Sequence, residues 1–218
     1  MKYVEVAQGW IAKDIFNLVT CDRPLRHKFQ AHDLLSILQQ NRPNDPEFAY
    51  EFKLYDNRRL QHVMWVFLSQ KRAYDRWHDT IVFENTYKAN NLNMPIGVFT
   101  GVTILELSYC VAGALLRDET RKSFEWLFTT FLKIFGTASS TILTDNDLHI
   151  IDATKTVLTD IHGTKHSLCL SHMIENIKSN MTKKLGTFMY KQFHGDLMSC
   201  LRHFINEEEV EQQKERNH

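Results

Sequence analysis

Apolar positions change their spacing along this chain, and each change predicts a different kind of element. Residues 1–43 look helical, with segments at Ala12–Val19 and Ala31–Gln39 parted by Asp22-Arg23-Pro24, where proline interrupts a continuous helix. From about residue 48 the pattern becomes strand-like. Phe48–Tyr55 and Val63–Leu68 predict two strands or a hairpin around Asp56-Asn57. Thr80-Ile81-Val82-Phe83 is a continuous apolar run of the kind that fills a central strand buried on both faces, and it stops at Glu84. Ile96–Thr103 and Leu107–Leu116, rich in Val, Tyr and small residues, predict two further strands, which makes three antiparallel strands with Glu84 at the end of the first.

The spacing then turns helical. Phe124, Leu127, Phe128, Phe131, Leu132 and Phe135 form one broad apolar stripe, with Asp118 or Thr120 available as an N-cap and Gly136 as a stop. Ser140–Thr144 predicts a short strand ending at Asp145. A helix with Ile150, Ile151, Val157 and Leu158 inward follows, then a strand over His166–Leu170. A last helix over Ser171–Leu185, with Ile174, Ile177, Met181 and Leu185 on one face, ends at Gly186.

Several short motifs lie along this frame: Asp45-Pro46-Glu47-Phe48-Ala49-Tyr50, Leu60-Gln61-His62-Val63-Met64-Trp65, Glu84–Pro95 (ENTYKANNLNMP), Ala114–Thr120 leading into Ser123–Phe128, Thr144-Asp145-Asn146-Asp147, and His166–His172 with its Cys169-x-x-His172. In order and spacing this series resembles the catalytic core of Mutator-like element (MULE) transposases. The similarity covers roughly residues 44–177, and six motifs in order make it a strong signal. It divides the chain into an N-terminal helical extension (1–43), a transposase-like core (44–177), and a C-terminal helical segment with an acidic tail (178–218), read as an incomplete form of the family's helical insertion.

The element order of three strands, helix, strand, helix, strand is that of a ribonuclease-H-like α/β fold, a mixed sheet with helical segments at both ends of the chain. In such a fold the first and fourth strands lie side by side, so Glu84 and Asp145 meet at their ends. Carboxylates so placed suit Mg²⁺ or Mn²⁺, and two-metal phosphoryl transfer needs ions about 3.5–4 Å apart. The resemblance thus implies Glu84 and Asp145 as catalytic and metal-binding residues, with Asp147, Cys169 and His172 as candidate supporting groups. Asp147 equally suits a cap for the next helix.

Two departures from the family's pattern bear on activity. The family typically has Asp where this chain has Glu84, whose extra methylene moves the carboxylate by about a bond length, and catalytic constellations lose rate on displacements of about 1 Å. The family's third acidic residue lies on a late helix, and Glu207, Glu208, Glu209, Glu211 and Glu215 form an acidic helical end rather than an isolated acid in an apolar frame. A third difference is the turn Thr103-Ile104-Leu105-Glu106-Leu107, apolar where the family tends to have a polar, glycine-containing turn, so that Ile104 and Leu105 are expected to be exposed.

Composition limits these readings. A chain of 218 residues with 43% apolar content can bury a real core. Lys and Arg number 26 against 26 Asp and Glu, so global basicity gives no support to nucleic-acid binding. The acidic run at Glu207–Glu209 and the basic run from Lys178 to Lys191 read as solvated helix faces. Cys21, Cys110, Cys169 and Cys200 form no disulfide framework, no apolar run approaches the roughly 18 residues of a membrane span, and the N-terminus lacks a secretory h-region. The expectation is an intracellular, soluble protein with no membrane partner.

His162, His166, Cys169 and His172 invite a zinc reading, but His166 and Cys169, three apart on a predicted strand, project to opposite faces, which argues against zinc and for a buried thiol and histidine that position the strand end. Arg72, Arg76, Tyr87 and Lys88 are candidates for touching a DNA backbone. Three functions compete. One is a transposase domain that cuts and joins DNA in a nucleus, inactive and truncated as this chain. Another is a domesticated relative similar to the plant far-red-response regulators, serving DNA binding and transcription control. The third is a protein-interaction module. DNA is the partner the resemblance implies, alongside self-association as a homo-oligomer.

Overall fold

The computed structural model describes residues 38, 48–56, 60–86, 94–105 and 107–216. Of the N-terminal helices expected over 12–19 and 31–39, only Leu38 falls within the described residues; it is helical and buried. The chain divides into two compact units, one ending at Cys169 and one beginning at Leu170.

The first unit is built on one seven-stranded mixed sheet. Strands β1 (Ala49–Leu54) and β2 (Leu60–Val66) form an antiparallel hairpin, and helix α1 (Leu68–Arg76) follows. Strands β3 (Thr80–Thr86), β4 (Ile96–Val102) and β5 (Ser108–Leu115) are the expected antiparallel trio. Helix α2 (Arg121–Phe135) leads to β6 (Thr141–Thr144); helix α3 (Leu148–Thr154), a π turn (Lys155–Thr159) and the short helix α4 (Asp160–His162) lead to β7 (Lys165–Leu168). The spatial order is β1-β2-β5-β4-β3-β6-β7, with β3, β6 and β7 mutually parallel. The five strands from β5 to β7 carry the ribonuclease-H-like order, with the first strand of the motif central and the fourth at its side. The N-terminal hairpin extends this sheet by pairing β2 with β5.

The helices gather on one face for a topological reason. Right-handed crossovers from β5 to β6 and from β6 to β7 step in the same direction across the sheet, so α2 and α3 fall on the same side and pack together. The stripe read from the sequence is what α2 buries: Phe124, Leu127, Phe128 and Phe131 are at most 1% exposed. They meet Phe83 and Phe99 from the sheet, with Phe83 and Phe128 edge to face at 5.4 Å and Phe99 and Phe131 at 4.6 Å. Tyr74 of α1 joins at 4.4 Å from Phe135. Each such ring withdrawn from water contributes about 1.5–3 kcal/mol, so this layer dominates the stability of the unit. Helix α2 ends as expected, with Gly136 left-handed at φ 75° and its N–H donating to the Leu132 carbonyl at 2.8 Å.

A second apolar cluster occupies the opposite face at the hairpin side: Leu38, Phe48, Val63, Trp65, Ile96 and Leu115. A bulge in the β4–β5 pairing, between Phe99 and Thr100, lets Val111 and Ala112 serve the helix face while Cys110 turns to the other.

Helix α1 is a correction to the sequence pattern, which continued the second strand to Leu68 and offered no helix after it. Its apolar residues are too sparse to declare a stripe, and tertiary contacts fix it instead. Gln70, buried, accepts the Phe67 N–H at 2.8 Å and donates to the Cys110 thiol at 3.2 Å. The other revision lies after Asp147, where one continuous helix was expected and a π turn interrupts it. Val157 and Leu158 still point inward from that turn.

In the second unit, helix α5 (Leu170–Arg216) is interrupted at Gly186, whose φ of 73° and ψ of 164° are outside the helical region and open to glycine alone at little cost. The expected stop at Gly186 therefore stands as a break within a longer helical segment.

Candidate functional site

The site is set by the pairing of β3 with β6. The paired residues are Thr80 with Thr141, Ile81 with Ile142 and Val82 with Leu143. Continuing this register by two residues puts Glu84 opposite Asp145, on chains about 4.8 Å apart. Alternation then decides the direction of each side chain. Ile81 and Phe83 enter the helix-covered core and are fully buried, so Val82 and Glu84 face the other side, and Glu84 is exposed. On β6, Ile142 and Thr144 are fully buried, so Leu143 and Asp145 share the face of Glu84.

Asp145 is held from several directions. Its Oδ1 accepts the Asp147 N–H at 3.3 Å, and its backbone carbonyl accepts the Thr144 hydroxyl at 2.8 Å. The Thr144 carbonyl in turn accepts the Cys169 N–H at 2.6 Å, which closes the end of β6 against the end of β7. The carboxylate of Asp147 is occupied as the cap of α3, accepting from the N–H groups of His149 at 2.7 Å and Ile150 at 3.2 Å. Of the two roles open to Asp147 in the sequence, the cap is the one its bonds fulfil.

Cys169 is a buried free thiol one residue beyond β7, and His172 lies in the first turn of α5, in the second unit. His166 uses its Nε2 toward the Thr144 hydroxyl at 2.8 Å, and burial lowers its pKa below the ordinary imidazole value. Among the described residues no three or more His, Cys, Asp or Glu side chains are gathered as metal ligands. Glu84, two residues before the end of β3, and Asp145, one residue beyond β6, are two acids on neighbouring strands, oxygen ligands of the type hard cations such as Mg²⁺ and Mn²⁺ take. They do not by themselves supply the ligands of a two-ion centre.

The other candidates lie elsewhere. Arg72 and Arg76 are exposed on α1. Arg76 stacks its guanidinium over Trp77 at 5.5 Å, and the Trp77 carbonyl accepts the Tyr109 hydroxyl. Tyr109 sits opposite Gly101, which sits opposite Ile81, so Arg76 lies toward the Thr80 end of β3 and Glu84 toward the other. Tyr87 and Lys88 are outside the described residues.

Three features lie near the strand ends; of the two cap candidates for α2, Thr120 holds the cap position and Asp118 braces it from two residues before. Asn85, next to Glu84 and directed to the helix face, donates to Glu119 at 2.5 Å and ties β3 to the approach of α2. Asp118 accepts from Ser123 and Thr120 at the start of α2; burial pushes its carboxyl upward, but these hydrogen bonds and the Arg117 charge outweigh it and hold it below the usual range. His62, 1% exposed, stacks on Trp126 at 4.9 Å and accepts the Arg117 N–H at 3.3 Å; desolvation and the nearby Lys53 bring its pKa down to about 4. Trp126 itself is partly buried at the rim of the core. Ile104 and Leu105 are 85% and 71% exposed at the β4–β5 turn, as their sequence suggested.

The family model of the MULE transposase domain matches residues 80–176. Protein FAR1-RELATED SEQUENCE 11 of Arabidopsis thaliana is 30% identical over 177 residues, which cover 80% of this chain and 25% of that protein. Protein FAR-RED IMPAIRED RESPONSE 1 of the same plant is 29% identical over 162 residues, 72% of this chain and 19% of its own length. The chain thus spans about a quarter or less of these relatives. Among solved structures, the HTLV-2 integrase catalytic core domain in complex with magnesium is similar over 49% of this chain and 70% of that one, at 18% identity and a TM-score of 0.32. Residues 80–176, which include Glu84 and Asp145, are a MULE transposase domain related to the plant FAR1-like proteins.

Proposed function

We propose that this chain is a transposase-derived, DNA-associated domain of the nucleus whose two carboxylates, Glu84 and Asp145, hold one divalent ion and do not cut DNA as the 218-residue polypeptide. The ion-site reading is supported by the β3–β6 register, which, continued by two residues, sets Glu84 opposite Asp145. A bound Mg²⁺ or Mn²⁺ would neutralise charge on a phosphate oxygen there. Glu84 extends one methylene beyond the family's Asp, and Asp147 is oriented by its Oδ1 as the cap of α3. Both features favour binding over strand transfer, and a role like that of the domesticated plant relatives over active transposition.

The test is nicking of supercoiled plasmid in millimolar Mn²⁺. The expected result is no cleavage above that of Asp145→Asn; cleavage that disappears in Asp145→Asn would establish an active nuclease. DNA association is read separately by gel shift across salt concentrations, since phosphate contacts weaken steeply as salt rises.

A second reading, a protein-interaction module that also self-associates, is favoured by the exposed Ile104 and Leu105. Pull-down or self-association lost in an Ile104→Ser, Leu105→Ser double variant that still binds DNA would support it.

A further inference from the structure

Two groups stand behind Asp145: Thr144 and His166. Thr144 is fully buried, and its hydroxyl is engaged twice: with the Asp145 carbonyl at 2.8 Å and with His166 Nε2 at 2.8 Å. A hydroxyl has one proton and a carbonyl has none to give, so the Thr144 proton goes to the Asp145 oxygen. The second contact is then a hydrogen bond only if His166 Nε2 carries a proton and donates it to the Thr144 oxygen. The register explains why these groups meet. Ile142 pairs with His166, and alternation places Thr144 and His166 on the helix-covered face, behind the strand end whose other face carries Asp145.

We propose that His166 and Thr144 are positioning residues for Asp145: a neutral His166 in the Nε2–H form donates to Thr144, Thr144 donates to the Asp145 carbonyl, and this relay fixes the peptide that aims the Asp145 carboxylate toward Glu84. The lowered pKa of His166 agrees with a neutral ring at pH 7. The bond from the Asp147 N–H to Asp145 Oδ1 is the downstream end of the same arrangement, because it forms only while the carboxylate keeps its aim. Such supporting bonds commonly alter metal affinity 10–100-fold, about the effect expected here. The value of the relay to an ion rests on the reading of Glu84 and Asp145 given above; the relay itself does not.

The experiment therefore has two arms, using the full chain and the variants Thr144→Val and Thr144→Ser. The first is ¹⁵N NMR of His166 at pH 7 with amide exchange at Asp147. The Nε2–H tautomer is expected, with Asp147 exchange faster in Thr144→Val and restored in Thr144→Ser. The Nδ1–H tautomer, or Asp147 protection unchanged in Thr144→Val, overturns the proposal. The second is Mn²⁺ affinity by paramagnetic resonance, expected to weaken about tenfold in Thr144→Val and to recover to within about twofold in Thr144→Ser. Binding by Thr144→Val as tight as by the unmodified chain overturns the link to the ion. If the unmodified chain binds no Mn²⁺ while the first arm gives its expected result, the ion reading fails and the positioning of Asp145 stands.

Discussion

Strand β3 presents two environments one residue apart. Phe83 is fully buried among Phe99, Phe124 and Phe128, whereas Glu84 is exposed on the reverse side beside the half-exposed Val82, Val98 and Leu143. The same two faces continue through β6, where Ile142 and Thr144 are sealed and Asp145 is not. Around Glu84 the helix-covered face is sealed by aromatic rings, while the reverse face is open there and closes only toward the hairpin, over Ile96, Trp65 and Leu115. This division explains how an acid can sit within a central strand: the strand is anchored from behind, so the open face around Glu84 need not be apolar to be ordered.

The largest effect that tests this contrast is truncation in the aromatic layer. Phe128→Ala is expected to cost about 3–5 kcal/mol, while Glu84→Gln on the other face changes stability by less than about 0.5 kcal/mol. Urea unfolding of both variants checks it, and a Glu84→Gln penalty of several kcal/mol would break the comparison.

The helix-covered face also buries an imidazole, and its titration gives the next effect. The pKa of His62 is near 4 in the folded chain and 6.5 when free, so the unfolded chain binds more protons between these values. Stability is therefore full above pH 6.5 and falls as pH drops toward 4, by up to about 3 kcal/mol. His62→Gln, which keeps an acceptor for the Arg117 N–H, is expected to flatten this part of the profile of melting temperature against pH.

Smaller still is a steric effect at the hairpin side, where the Trp65 ring lies against Gly113. A Cβ added at Gly113 would stand 2.7 Å from Trp65 Cζ2, so Gly113→Ala is expected to cost about 1–3 kcal/mol. Loss of Trp65 fluorescence packing in this variant, with Mn²⁺ binding retained, would sharpen the separation between core and carboxylate site.

Much of this was legible in the sequence where a period was sustained. The Phe124–Phe135 stripe gave α2 and its burial, and the apolar run ending at Glu84 gave β3, because both patterns are local. Helix α1 was not legible, since Leu68, Ala73 and Tyr74 are too few to mark a face and Gln70 is fixed by Cys110, forty residues away in sequence. The π turn at Lys155–Thr159 left no trace because Val157 and Leu158 remain inward in either geometry. For the candidate site, the motif order pointed to Glu84 and Asp145, but the hydrogen bonds around them were invisible. Thr144 to His166 and Asn85 to Glu119 span 22 and 34 residues and depend on register, which no single segment encodes. Arg76, a candidate DNA contact, lies toward the Thr80 end of β3, a placement set by strand direction rather than by any local pattern.

The central claim is that Glu84 and Asp145 act together on one ion, and thermal unfolding tests it most directly. A ligand bound only by the folded state stabilises by mass action, about 1.4 kcal/mol at ten times its Kd. The melting temperature of the unmodified chain is predicted to rise in millimolar Mn²⁺, and the rise to vanish in both Glu84→Ala and Asp145→Asn. No rise in the unmodified chain, or a rise that survives in either variant, would contradict it.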